Sequence, residues 1–250
     1  MKVGVFFVPK QQHLKLMFYL SAKFSPYIVT DSKSIEKIFR ENFKRKKSIE
    51  TIEYGAYLNQ TVGIKSDNIN DILKKYNLKK LNYHLVVSRL EPENNVDMII
   101  DGYKKRTNKY PLVIVGNLQK TDYVKLLRKS QSEEIIFLGG IYNSHELAVI
   151  RANAYSYLHG HAVGGTNPSL LEAMSSKNLC ICHDNEFNQS IIGENGLYFK
   201  STNEVSKILA EIESNDYSKM KEGVYRLIKK RYNWEMIGKR YITYFKNLIK

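Results

Sequence analysis

The run Gly164-Gly165-Thr166-Asn167-Pro168-Ser169-Leu170-Leu171-Glu172-Ala173-Met174 holds the residue types best able to do chemistry in this chain. It follows a strand-like stretch, Ala154-Tyr155-Ser156-Tyr157-Leu158, and a polar elbow, His159-Gly160-His161. Two glycines let a backbone approach a ligand with no Cβ in the way. Thr166 or Asn167 suits an N-cap, and Pro168 suits the first helical position, where its missing N–H would be unpaired anyway. The free N–H groups of that first turn, through Ser169 and Leu170, join the positive end of the helix dipole to make a phosphate site. Glu172 falls one turn in, on the face of Pro168 and Ser169, where a carboxylate accepts from sugar hydroxyls. Phosphate beside sugar hydroxyl describes a nucleotide. The same spacing also fits a capped α/β helix with an exposed Glu.

The surrounding elements would place this run at a sheet edge. Apolar strand-like runs at Tyr83–Ser88, Leu112–Val115, Ile135–Leu138, Tyr155–Leu158, Leu179–Cys182 and Gly196–Phe199 alternate with helical patterns at Val96–Lys105, Asp122–Ser130, Ser144–Ala152 and Pro168–Ser176. That alternation reads as a doubly wound parallel α/β sheet. Ligands bind outside the carboxyl ends of such strands. Arg89, the Gly116 turn, Gly139-Gly140 and the His159–Asn167 elbow all fall on that edge. Two further helices are expected at about Tyr217–Lys230 and Trp234–Leu248, with Trp234 as a packing staple.

Composition bounds the class. At 250 residues with 43% hydrophobic content, the chain can fill one large or two modest domains. No stretch approaches eighteen apolar residues, so no membrane span is expected, and Val3–Val8 is too short for a secretory core. Cys180 and Cys182 alternate within one strand-like run and point to one face, which fits a reduced, cytoplasmic protein with two core thiols. The net charge of +14 calls for an anionic partner. Clusters at Lys44-Arg45-Lys46-Lys47, Lys104-Lys105-Arg106 and Lys229-Lys230-Arg231 sit near helix ends, where solvated cations complement the dipole. They do not interleave with aromatic residues on one face, which argues against nucleic acid. Their sum fits the inner face of a membrane, on which the protein would be peripheral.

The helix-opening run resembles the donor-binding segment of retaining glycosyltransferases of the GT-B fold, family 4, whose signature is two glutamates separated by seven residues. Glu172 matches the second, which in that family holds the ribose; the first would fall at Gly164. The variant from His159 through Gly164, Gly165 and Asn167 to Ala173 resembles a narrower branch, the bacterial rhamnosyltransferases of capsule and cell-wall polysaccharide. Ser88-Arg89-Leu90-Glu91-Pro92-Glu93-Asn94-Asn95-Val96 resembles the same branch. The broader family has an Arg and a Lys there to grip the donor diphosphate; Arg89 is kept and Asn94 stands where the Lys would be. The resemblance runs from about Tyr27 to the C-terminus and implies a GT-B α/β fold with a Rossmann-like donor domain. It implies transfer of a deoxyhexose, rhamnose from a thymidine diphosphate donor, to a lipid-linked saccharide. The residues expected around the nucleotide sugar are Arg89, Asn94, His159, His161, Gly164, Gly165, Thr166, Asn167, Ser169, Leu170 and Glu172. Arg89, at the end of a strand expected to be buried, would need a partner, either a phosphate or Glu91 or Glu93. His159 and His161 fit contact with the transferred sugar, Asp184, Glu186 and Asn188 its rim. No Asp-x-Asp motif ends a strand, so neither cofactor nor metal is expected, and Arg89 with the helix N-terminus would meet the leaving-group charge.

Residues 1–80 are expected to hold the remnant of an N-terminal, acceptor-side domain, 81–215 the donor domain, and 216–250 helices packing back on the first region. Tyr27–Thr30 into Asp31–Ile35, and Ile49–Glu53 into Tyr54-Gly55-Ala56, read as strand-to-helix and strand-to-turn units. Upstream stand Val3–Val8 and an amphipathic stretch, Leu14–Phe24. A complete acceptor domain takes about 120 residues more on ordinary domain-size grounds. Two readings follow: a glycosyltransferase, or a non-catalytic remnant or donor-binding subunit that works with a separate chain or by self-association.

Overall fold

In the computed structural model, residues 10–58, 61, 65–105 and 110–249 are described. The Val3–Val8 run and Arg106 lie outside them. Eight strands and eleven helices follow one another along these residues. The first group is α1 (Lys10–Phe24), β1 (Ile28–Thr30), α2 (Lys33–Glu41), β2 (Ile49–Thr51) and α3 (Ser66–Lys75). Then come β3 (His84–Val87), α4 (Val96–Tyr103), β4 (Leu112–Val115), α5 (Asp122–Arg128), β5 (Ile135–Gly139) and α6 (Ser144–Ala152). The last are β6 (Ser156–His159), α7 (Pro168–Ser175), β7 (Leu179–His183), α8 (Glu186–Ile192), β8 (Leu197–Phe199), α9 (Thr202–Ile212), α10 (Ser218–Leu227) and α11 (Trp234–Ile249).

Strands β3 to β8 form one parallel sheet in the order β5-β4-β3-β6-β7-β8. Renumbered from β3, this is the 3-2-1-4-5-6 order of a dinucleotide-binding sheet, and the chain reverses direction across the sheet between β3 and β6. The strands are largely apolar because helices cover both faces. One face buries Leu85, Val113, Tyr157, Cys180 and Cys182 with Leu170 and Met174 of α7. The other buries Val86, Ile114, Leu158 and Ile181 with Ile99 of α4 and Val205 of α9. The parallel α/β architecture expected from the strand–helix alternation is the one observed.

Three helices stand where the sequence reading placed none: α3, α8 and α9. The last carried a legible signal. Ser201 caps it by accepting from the Glu204 N–H, and Glu204 reaches back to accept from the Lys200 N–H. Helix α10 ends earlier than expected, because residues Ile228–Tyr232 widen into a π turn before α11.

In the N-terminal region β1 and β2 pair in parallel as a sheet of their own. Phe18, Phe39 and Phe43 pack beneath it, with the Phe18 and Phe39 rings edge to face at 5.5 Å. Arg45 is buried and donates to the carbonyls of Ala22, Ser25, Pro26 and Ser48. Of its basic cluster, this member is thus a structural staple and not a solvated charge. Helix α11 returns to this region. Glu53, itself buried, accepts from Arg231 at 2.8 Å and Arg240 at 2.5 Å, and Arg240 also donates to the Thr51 carbonyl. Trp234 packs on Gly55 and Tyr57 rather than on the large sheet.

Candidate functional site

The site lies where β3 and β6 end side by side. After β3 the chain runs through Ser88 and Arg89 into a short 3-10 turn, Pro92–Asn94, and then α4. After β6 it turns at Gly160. The two loops are zipped together: Asn95 Nδ2 donates to the Gly160 carbonyl, Ala162 N–H donates to the Glu93 carbonyl, and Asn94 Oδ1 meets His161 Nδ1 at 2.8 Å. A Cβ at Gly160 would stand 2.0 Å from the Asn94 carbonyl oxygen, so only glycine permits this approach.

The elbow then leads into α7. Gly164 has φ of +123°, a conformation L side chains rarely adopt. Asn167 is the N-cap, its Oδ1 accepting from the Ser169 N–H at 2.9 Å, and Pro168 occupies the first helical position, as the sequence indicated. Ser169 Oγ donates to the Val87 carbonyl at 2.9 Å and lies 2.8 Å from the Tyr157 hydroxyl. Burial among apolar neighbours holds that phenol's pKa well above its ordinary value. The N-terminus of α7 is therefore fixed against the end of β3 from within the core.

Two adjoining cavities open around this N-terminus. One, of about 370 Å³, is lined by Arg89, Gly116, Tyr142, Arg151, Ser169 and Glu172 among others. The second, of about 420 Å³, is lined by Arg89, Asn94, His159, His161, Gly165, Thr166, Asn167 and Ser169 among others. Both lie outside the carboxyl ends of the strands at the switch in strand order, the place where such sheets bind ligands. Gly164 and Leu170 line neither; the Leu170 side chain is wholly buried in the core, so only its backbone N–H can serve a ligand. Asp184, Glu186 and Asn188 also stand apart. Asp184 pairs with Lys200 at 2.9 Å, and buried Asn188 donates to the carbonyls of His161 and His183.

Several side chains differ from expectation in what they do. Arg89 is not buried, its side chain being 70% exposed, but it does bridge Glu91 at 2.9 Å and Glu93 at 3.6 Å, the expected alternative to a phosphate. Strand β3 ends at Val87, two residues short of it. Asn94 is buried, and its amide donates to the Arg89 carbonyl while its oxygen meets His161, so both ends of the side chain are engaged by the protein itself. Thr166 is likewise buried and donates to the Asp31 carbonyl. His159 is buried with Nε2 lacking a partner among the described residues. Burial, reinforced by His161 and His183, pushes its pKa down to about 3, so it is neutral at physiological pH. Burial also lowers His161, against the opposing pull of Glu93.

The sequence reading missed three members. Arg151, in α6, places Nη2 2.6 Å from Glu172 Oε2. Its signal was a lone Arg directly after the apolar stretch Ala148–Ile150, which must find a counter-charge if buried. Tyr142, almost fully exposed, stands at the mouth of the first cavity. Asp31, after β1, presses its carboxylate against Gly165. Its Oδ1 has no partner among the described residues, and burial raises its pKa despite hydrogen bonds from Ser32 and its own backbone. Among the described residues no three His, Cys, Asp or Glu side chains gather so as to hold a metal ion. No helix among them is long and apolar enough to cross a membrane.

Over 184 residues the chain is 27% identical to a protein of Thermosipho melanesiensis described as a probable sucrose-phosphate synthase, covering 69% of this chain and 43% of that one. The chain thus spans less than half the length of that curated relative. Its fold matches the sucrose-phosphate synthase of Thermosynechococcus elongatus with a TM-score of 0.81 at 16% identity, covering 98% of this chain and 64% of that one. It matches Anabaena HepE in complex with UDP and glucose with a TM-score of 0.80 at 15% identity, covering 94% and 67%. The family model for glycosyl transferases group 1 matches residues 68–234, about two thirds of the chain, and contains every residue of both sheet-edge cavities. The chain belongs to the group 1 glycosyl transferases.

Proposed function

We propose that the chain binds a nucleoside diphosphate sugar at the β3–β6 edge and donates its glycosyl group to an acceptor saccharide. One observation carries this: Arg89, the first turn of α7 and Glu172 border adjoining cavities at the switch in strand order. A diphosphate there meets the positive end of α7 with its Leu170 N–H, and the Arg89 guanidinium, which suits phosphate through paired N–H donors. Glu172 accepts from the ribose. The leaving diphosphate is neutralised by the same groups, and the reading needs no metal. The donor reading extends to a thymidine diphosphate deoxyhexose, rhamnose, with retention at the transferred carbon. It rests on the His159–Ala173 run and its likeness to rhamnosyltransferases. The acceptor would be a lipid-linked saccharide at an anionic membrane face, in keeping with the charge of +14. The N-terminal region would serve the acceptor, either by itself, in a second copy, or with a separate subunit.

A second reading has its own support. Relatives described as sucrose-phosphate synthases, and HepE bound to UDP and glucose, favour a UDP-hexose donor. Calorimetric titration with thymidine and uridine diphosphates separates the two, followed by transfer from labelled thymidine diphosphate rhamnose and UDP-glucose to a membrane-lipid extract. Preferred binding of the thymidine nucleotide with rhamnosyl transfer is the expected result. Failure to bind either nucleotide refutes the site.

A further inference from the structure

Arg151 holds a charge that donor binding alone leaves unexplained. It is 3% exposed, in the buried stretch of α6, and its guanidinium crosses to α7 to meet Glu172. Its Nε is buried and has no partner among the described residues. Glu172 is the carboxylate that answers this cation, with Oε2 at 2.6 Å from Nη2. The carboxylate is about one third exposed, and both residues line two neighbouring cavities, the sheet-edge one and another reaching Tyr57 and His145. If Glu172 swung towards a ligand with both oxygens, it would leave a buried cation unpaired, which is strongly unfavourable.

We infer that Arg151 is a positioning residue that ties up Oε2 of Glu172, leaves Oε1 as the ligand's acceptor, and thereby makes the site read one sugar hydroxyl, the 3′, and not the 2′. The inference rests on the donor reading above, since a 2′-deoxyribose has only that hydroxyl to give. A carboxylate free at both oxygens grips a cis-diol with one hydroxyl on each. One whose second oxygen is already in a charge-assisted bond offers its strongest remaining acceptor to a single hydroxyl. Arg151 touches no reacting atom in this scheme; it acts through Glu172.

The test uses the full chain and three probes, UDP, 2′-deoxy-UDP and 3′-deoxy-UDP, titrated by calorimetry against the wild type, Arg151→Met and Arg151→Lys. The wild type is expected to bind UDP and 2′-deoxy-UDP within about twofold of each other. It should bind 3′-deoxy-UDP about tenfold or more weakly, the loss of one hydrogen bond to a charged group. In Arg151→Met both carboxylate oxygens are free for the diol, so the gap between 2′-deoxy-UDP and 3′-deoxy-UDP should close to below about threefold. Arg151→Lys keeps the buried charge but loses the planar fork, and should fall between the two. A purely structural Arg151 would weaken all three probes alike and leave their ratios unchanged, which overturns the inference. So does a wild type that prefers UDP over 2′-deoxy-UDP by about tenfold, even if neither variant folds. A wild type that binds none of the three refutes the donor reading itself, a separate and distinguishable outcome.

Discussion

Replacing Gly165 by alanine tests whether the N-terminal region is built onto the donor-site elbow. A Cβ at this position would stand 2.1 Å from Asp31 Oδ1, 2.6 Å from Cγ and 2.7 Å from Oδ2. The first of these is more than an ångström inside ordinary contact. The carboxylate cannot simply leave with its backbone, because Thr166 Oγ1 holds the Asp31 carbonyl at 2.7 Å. It can rotate partly aside, however, since Oδ1 has no hydrogen bond to lose among the described residues. Overpacking costs about 1–3 kcal/mol, and partial escape argues for the middle, about 2 kcal/mol. In a chain of this size that lowers the melting temperature by about 4–8 °C. Asp31→Ala in the same background removes the obstructing atoms and should return most of the loss, giving a coupling of about 2 kcal/mol in a double-mutant cycle. Thermal unfolding by circular dichroism reads both effects, and nucleotide titration reads whether the elbow has moved. Gly165→Ala melting within about 1 °C of the wild type, or no rescue by Asp31→Ala, refutes the contact.

Asp31→Asn should stabilise the protein at pH 7. Burial raises the native pKa of Asp31 above its unfolded value, so the carboxyl favours folding at low pH and that contribution is lost as pH rises through the native pKa. Urea midpoints that converge near pH 3 and separate at pH 7 in favour of the variant are expected; the opposite ordering at pH 7 rules the idea out. For Glu53 the sign reverses. Its burial would raise the pKa, but hydrogen bonds from Arg231 and Arg240 outweigh this and hold it below the usual carboxylate value. The stability it brings is present above that usual value and lost as pH falls through the lowered one, so Glu53→Gln should flatten the acid limb of the stability profile. Glu172→Ala should destabilise by about 2 kcal/mol, short of the 3–5 expected for a fully buried pair because water reaches the carboxylate. Glu172→Gln keeps a hydrogen-bond acceptor for Arg151 and should cost about 1 kcal/mol or less. Equal urea midpoints for the two variants would mean that Arg151 does not depend on Glu172.

The sheet was readable because its strands are short, largely apolar runs, the first four ending at or near Arg89, Gly116, Gly139 and His159, and both faces of a parallel sheet are covered. Cys180 and Cys182 fell on one face for the same reason, the period of two along a strand. Helix α9 was readable too, through Ser201 and Glu204, whereas α3 opens at Lys65 with no side-chain cap to announce it. At the site, Asn167 and Pro168 could be placed because capping is local chemistry. The pairing of Arg89 with Glu91 or Glu93 was readable as well, because both stand within four residues of it in one loop. The partners of Asn94 and Thr166 were not. Each depends on which loop lies opposite: His161 for the first, and Asp31, 135 residues away, for the second. Arg151 was hidden in another way, since its partner sits on the neighbouring helix across the sheet edge.

The two departures from the family pattern now have a physical account. Where the family carries a lysine, the Asn94 amide turns inward and ties the β3 loop to His161. Where it carries a first glutamate, Gly164 adopts a φ that a side chain would resist. Thr166 and Ser169 have their hydroxyls held by Asp31 and Val87. The elbow therefore offers a ligand mainly its backbone: Pro168 has no N–H and Asn167 holds that of Ser169, which leaves the Leu170 N–H and the dipole of α7, fixed in place by side chains that face the protein. Such donors need no reorganisation when a diphosphate arrives, which suits charge stabilisation. On the proposed reading, the free side-chain chemistry is then left to Arg89 at one end of the nucleotide and Glu172 at the other. Arg89 must exchange Glu91 and Glu93 for phosphate, while Glu172 is already aimed. Removing Arg89 should thus weaken every diphosphate alike, whereas a change at Glu172 or Arg151 should show in the sugar hydroxyls.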